Sequence, residues 1–179
     1  LRGYGGFQTS FTCRDELCGL RESYGLVQAC VSFDMGLVLV TGANGFVGHA
    51  LCTELVSRGI SVRAAVRVRD NFEIAGCEVV SIPCISDDTD WSFALRDVST
   101  VIHLAARVHV MRDDAENPLK EFRRVNVEGT QRLAKEAAGS GVKRLVYVSS
   151  IKVSGEETRN NRRLTEFDTP SPQDPYGIS

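Results

Sequence analysis

The 179-residue sequence has no long hydrophobic run, no C-x-x-C pair and no large excess of charge of either sign, and each absence removes a class of function. Without roughly 20 consecutive apolar residues no helix can cross a hydrocarbon core, so no membrane partner is expected. A net charge of −2 gives no pull toward nucleic acid. The six cysteines, Cys13, Cys18, Cys30, Cys52, Cys77 and Cys84, have no companion histidines at zinc spacing. The sequence therefore predicts no metal site, and free thiols in a reducing, cytoplasmic compartment. Residues 1–34 lack a sustained period of 2 or 3.6 and lack the basic start and apolar core of a signal peptide. They are expected to be an upstream or added extension before Met35, with one folded domain over residues 35–179.

What is present is a glycine loop set between two periodic segments. Leu37-Val38-Leu39-Val40 has the length and branching of a buried parallel strand, and the stretch after Gly45 reads as a helix with Phe46, Ala50, Leu51, Leu55 and Val56 on its apolar face. Between them lies Thr41-Gly42-Ala43-Asn44-Gly45-Phe46-Val47-Gly48. Gly42 permits a tight turn, Gly45 lets backbone approach a phosphate, and Gly48 lets the helix lie close on the sheet. Unpaired N–H groups at the helix start favour an anion, so the passage predicts a pyrophosphate site.

Strands and helices then alternate, as a doubly wound α/β fold requires. Strands are expected at 61–66, 78–82, 100–104 and 144–149, with a short helix around Trp91 to Leu95. A long helix is expected from Pro118, with Leu119, Phe122, Leu133 and Ala137 as its stripe and Gly139-Ser140-Gly141 as its end. Asn126 and Gly129 interrupt that stripe; a buried amide needs partners, so Asn126 is expected to serve a site. A Pro-rich loop, 169–175, delivers Tyr176 to the start of a further helix. Parallel strands place the ligand crevice at their C-terminal ends. The acidic residue that would bind a ribose 2′-hydroxyl about 20 positions after the glycines is replaced by Arg67, with Arg63 and Arg69 nearby, which favours NADP(H) over NAD(H). His49, His103 and His109, and the pair Asp113-Asp114, read as packing or surface residues.

The G-x-x-G-x-x-G spacing, with Val101-Ile102-His103-Leu104-Ala105-Ala106, Asn126-Val127-Glu128-Gly129-Thr130, Val146-Tyr147-Val148-Ser149-Ser150 and Tyr176-Gly177-Ile178-Ser179, resembles the extended short-chain dehydrogenase/reductases, the group of NAD-dependent epimerases and dehydratases. The resemblance runs from Leu37 to Ser179. It implies a Rossmann-type sheet, with Gly42, Gly45, Phe46, Val47 and Gly48 on the cofactor phosphates and Leu104, Ala105 and Ala106 beside the nicotinamide ribose. It also implies Asn126 and Ser149 near the cofactor, and Ile85 against the adenine, where Cys84 replaces the usual aspartate. Ser150 is implied as the catalytic serine and Tyr176 as the acid/base of a Tyr-x-x-x-Lys motif.

Phenols are weak bases at neutral pH, and that motif's lysine, one helical turn on, falls just past Ser179. The resemblance thus implies a Rossmann-type domain truncated before its C-terminal part and inactive as it stands. The complete protein is expected to be a homodimer acting on a UDP-hexose, as a 4-epimerase or 4-ketosugar reductase of surface-polysaccharide synthesis. A flavonol-reductase-like ketone reductase and a non-catalytic cofactor-binding module stay open as alternatives.

Overall fold

The computed structural model describes residues 36–67, 72–108, 117–158 and 163–179. Residues 1–35, and with them the expected boundary at Met35, lie outside the described residues, as do Arg69, His109 and Asp113-Asp114. Five strands form the sheet: β1 (Leu37–Thr41), β2 (Val62–Val66), β3 (Cys77–Ser81), β4 (Val98–His103) and β5 (Arg144–Tyr147). Their order is β3-β2-β1-β4-β5 and every pairing is parallel. This is the Rossmann-type arrangement that the alternating pattern predicts. The chain winds outward from β1 to β3 and then crosses to β4, so the crevice between the ends of β1 and β4 is the switch point of the sheet.

Alternation along β1 explains the two-sided core. Leu39 packs on one face with Val101, Trp91, Leu95, Leu133 and Ala137, while Val38 and Val40 pack on the other with Cys52, Ala64 and Val66. Helix α1 (Phe46–Ser57) covers the second face through Gly48, Cys52 and the half-buried Leu51, Leu55 and Val56. Leu51, Leu55 and Val56 of the predicted face thus pack on the sheet, while Phe46, 96% exposed, and Ala50 lie outside it and Gly48 and Cys52 take the buried positions instead.

Arg63, the second residue of β2, is 7% exposed. Its guanidinium donates to the carbonyls of Ala94 (2.9 Å) and Arg96 (2.6 Å) and pairs with Glu78 at 3.0 Å. Residues 91–95 form turns rather than the expected helix: one helical bond is made, from the Leu95 N–H to the Trp91 carbonyl at 2.9 Å, and the backbone then turns left-handed at Asp97 (φ 61°) to enter β4. The guanidinium's bonds remove Arg63 from the predicted cofactor group and make it a core residue.

The long helix from Pro118 is interrupted. α2 (Pro118–Arg123), N-capped by Asn117, runs into a π-helical segment, Arg124–Gly129, and continues as α3 (Thr130–Gly139). Phe122, Asn126, Gly129, Leu133 and Ala137 are all buried, so the predicted stripe is the one facing the sheet. A short helix α4 (Pro175–Ile178) carries Tyr176. Among the described residues no helix is long and apolar enough to cross a membrane.

Candidate functional site

The glycine loop closes over the end of β1. Gly42 has φ +68°, and a Cβ there would stand 2.9 Å from the Ala105 nitrogen, so the loops after β1 and β4 touch backbone to backbone. A Cβ on Gly48 would come 2.1 Å from the Gly42 carbonyl oxygen, whereas one on Gly45 would meet that oxygen at 3.2 Å. Gly48 is therefore required by packing, and Gly45 sits on the open, exposed side of the loop. No side chain caps α1 at Gly45 and no acidic residue stands in its first turn. The helix start, with exposed Phe46 and Val47, presents its partial positive charge to solvent, as a cradle for a phosphate group requires.

Behind this loop a polar spine ties the strands. The Thr41 hydroxyl accepts from the N–H groups of Leu104 and Ala105, both at 3.2 Å, and lies 2.7 Å from His103 Nδ1. With its oxygen used as an acceptor twice, the hydroxyl donates its own proton to Nδ1. Nε2 then carries the ring hydrogen and donates to Thr130 Oγ1 at 3.1 Å. Burial pushes the imidazole from its ordinary 6.5 down to about 4. His103 is a neutral tether, which agrees with its reading as a packing residue.

Asn126 clamps the chain after β4. Its Oδ1 accepts from the Arg107 N–H at 2.8 Å, and its Nδ2 donates to the Arg107 carbonyl at 3.2 Å and to Ser179 Oγ at 2.8 Å. The π segment that presents Asn126 also brings Gly129 against the chain after β3, where a Cβ would lie 2.5 Å from Ile85 Cγ2. Ile85 is half-buried against the core, and the neighbouring Cys84 is exposed, with Arg124 Nη1 at 3.7 Å from its sulfur. Arg67, just past β2, is exposed and has no partner among the described residues.

A cavity of about 40 Å³ gathers the other predicted residues: Ala106, Asn126, Ser149, Ser150 and Tyr176 line it. Ser150 follows the end of β5, and its Oγ accepts from the Lys152 N–H at 3.3 Å in the first turn of a 3-10 segment, Ile151–Val153. The hydroxyl proton of Ser150 is not used by that bond. The Tyr176 ring rests beside Phe122, their centroids 6.3 Å apart.

Two residues escaped the sequence reading. Asp174 caps α4, its Oδ1 accepting from the Gly177 N–H at 2.6 Å, and its Oδ2 accepts from Lys152 Nζ at 2.8 Å. The Asp-Pro pair before Tyr176 carries the N-cap and first-turn proline signature that points to this cap. Hydrogen bonds from the Lys152 ammonium to Asp174 and Glu156 hold its pKa up, at about 12. Among the described residues no group of His, Cys, Asp and Glu could hold a metal.

Residues 38–179 match the family described as the NAD dependent epimerase/dehydratase family. The UDP-glucose 4-epimerase of Vibrio cholerae is 40% identical over 143 residues, covering 79% of this chain and 43% of that protein. A 3-beta-hydroxysteroid dehydrogenase of Mycolicibacterium neoaurum is 32% identical over 142 residues, covering 76% and 38%. Among solved structures, MoeE5 in complex with UDP-glucuronic acid and NAD aligns with a TM-score of 0.67 at 36% identity, over 80% of this chain and 45% of that one. The chain spans less than half the length of each of these relatives.

Proposed function

The chain belongs to the NAD dependent epimerase/dehydratase family, and from that premise we propose that it is the dinucleotide-binding and proton-transfer part of an enzyme that oxidises and reduces a UDP-hexose. The observation that carries this reading is the shared lining of one crevice by Ser150, Tyr176 and Asn126 at the strand ends. The UDP-glucose 4-epimerase and the UDP-sugar complex among its relatives support the substrate class.

The glycine cradle fits the diphosphate of a nicotinamide dinucleotide, because its backbone is open where Gly45 faces solvent and closed where Gly48 meets Gly42. Gly42, Gly45 and the first-turn N–H groups of Phe46 and Val47 would hold the phosphates, Ile85 would receive the adenine, and Leu104, Ala105, Ala106 and Ser149 would stand at the nicotinamide end. The bound dinucleotide supplies a hydride acceptor and donor. Arg67 suits a 2′-phosphate by charge and planar donor geometry, and so supports use of NADP(H) in a family whose solved member here carries NAD.

Tyr176 takes the proton of a sugar hydroxyl, at C4 in an epimerase, as the carbon beneath it is oxidised, and returns the proton on reduction. Ser150 donates to the same oxygen and fixes its direction. Asn126 keeps the backbone after β4 in place beside the reacting sugar. The test is product analysis with UDP-glucose in the protein extended to the length of its relatives. Tyr176→Phe should lower turnover by roughly a thousandfold while dinucleotide binding persists; turnover unchanged by that substitution would refute the assignment.

A further inference from the structure

Three bonds run in series between the segment that holds Ser150 and the segment that holds Tyr176. The backbone N–H of Lys152 donates to Ser150 Oγ at 3.3 Å, the ammonium of the same residue donates to Asp174 Oδ2 at 2.8 Å, and Asp174 Oδ1 accepts from the N–H of Gly177 at 2.6 Å. The segments also meet directly: a Cβ on Gly177 would stand 2.9 Å from the Lys152 carbonyl oxygen. Tyr176 lies between the two residues that these contacts fix, Asp174 at the N-cap of α4 and Gly177 within it. In sequence the two ends of the series are far apart, and no strand pairing joins them. The sheet positions β5 and hence Ser150, but α4 has no strand of its own.

We propose that Lys152 and Asp174 form a charged strap that sets the position of Tyr176 relative to Ser150, making both positioning residues for proton transfer. The inference rests on the functional reading above. Lys152 also bonds both carboxylate oxygens of Glu156, at 2.8 and 2.9 Å, so the ammonium is shared between a carboxylate on its own loop and one on the tyrosine segment. Only the second spans the site. The ammonium's raised pKa keeps the strap charged throughout the neutral range.

The cap and the strap can be separated, because Asn at position 174 keeps a side-chain oxygen for the Gly177 N–H but loses the charge. In the protein extended to the length of its relatives, Lys152→Met and Asp174→Asn should each lower kcat about tenfold, with KM for UDP-glucose and dinucleotide within about twofold. The double variant should be no slower than either single one, as expected for two ends of one contact. Glu156→Gln should leave kcat within about twofold. Losses that multiply in the double variant, that fall on KM, or that Glu156→Gln reproduces would overturn the strap. Amide hydrogen exchange at Gly177, read without substrate, is the independent arm: it should quicken about tenfold in Lys152→Met, and unchanged exchange refutes the strap. A wild-type protein with no turnover refutes the functional reading, and the exchange arm still decides the strap.

Discussion

His103 on β4 accepts a hydrogen bond from the Thr41 hydroxyl on β1 at 2.7 Å, so the two strands that border the switch point are joined by side chains as well as by their backbone ladder. The imidazole must be neutral to accept it. Its folded pKa lies below the ordinary value, so this contribution is present above about pH 6.5 and is lost as pH falls toward 4. The expected loss is about 3 kcal/mol over that interval. Urea midpoints at pH 7 and pH 4.5 measure it, and His103→Gln should flatten the dependence over that window.

Gly48 and Gly45 should behave differently although both belong to the loop. Gly48→Ala drives a methyl group into the Gly42 carbonyl and should cost about 3 kcal/mol of stability. Gly45→Ala meets the same oxygen at 3.2 Å, where the loop need give only a few tenths of an ångström, so it should cost less stability than Gly48→Ala while dinucleotide affinity falls about tenfold. Thermal melts and cofactor titration separate the two effects.

The two arginines of β2 and its exit make an opposed pair. Arg67→Ala should lower the ratio of NADPH to NADH affinity at least about tenfold without moving the melting temperature. Arg63→Met should leave that ratio alone and cost about 2–4 kcal/mol, because the carbonyls of Ala94 and Arg96 lose their donor. Calorimetric titration with each dinucleotide reads the first arm and denaturant unfolding the second.

Among Cys52, Cys77 and Cys84, only the last is exposed. Burial pushes the Cys52 thiol up to about 12, with Cys77 beside it adding to the effect, and burial also raises Cys77. Iodoacetamide at pH 8 should therefore modify Cys84 first among these three. If the adenine lies where Ile85 is proposed to receive it, dinucleotide should slow that alkylation severalfold and leave Cys77 unaffected; mass spectrometry reports both sites.

Much of the fold was legible because it rests on period and punctuation. The apolar run at Leu37, the glycine spacing after it, the proline at 118 and the Gly-Ser-Gly end of α3 each act within a few residues. The misreadings have a common physical source, which is contact over distance. The exposure of Phe46 and Ala50, and the burial of Gly48 and Cys52 in their place, depend on how α1 lies on the sheet. The turns at residues 91–95 end at the left-handed Asp97 that leads into β4, and Arg63 looks like a cofactor residue until its burial is seen. Of the candidate site, the sequence picked out Ser150, Tyr176 and Asn126, which line one cavity. The bond from Lys152 to Asp174 was not legible, because neither residue interrupts a pattern. The π segment was equally silent, since a wide turn uses the same residue types as an ordinary helix.

That wide turn changes what the gene can lose. A single π turn holds one residue more than the α-helix it interrupts. Removing one residue elsewhere in α2 or α3 would rotate everything beyond it by about 100° and carry Leu133 and Ala137 off the sheet. Removing one inside Arg124–Gly129 would close the turn to regular helix with both flanks still in register, so a folded protein survives the deletion. What disappears is the wide turn that presents the buried Asn126 amide to the backbone of Arg107. The helix therefore carries its contribution to the site as an insertion, separable from the packing that surrounds it.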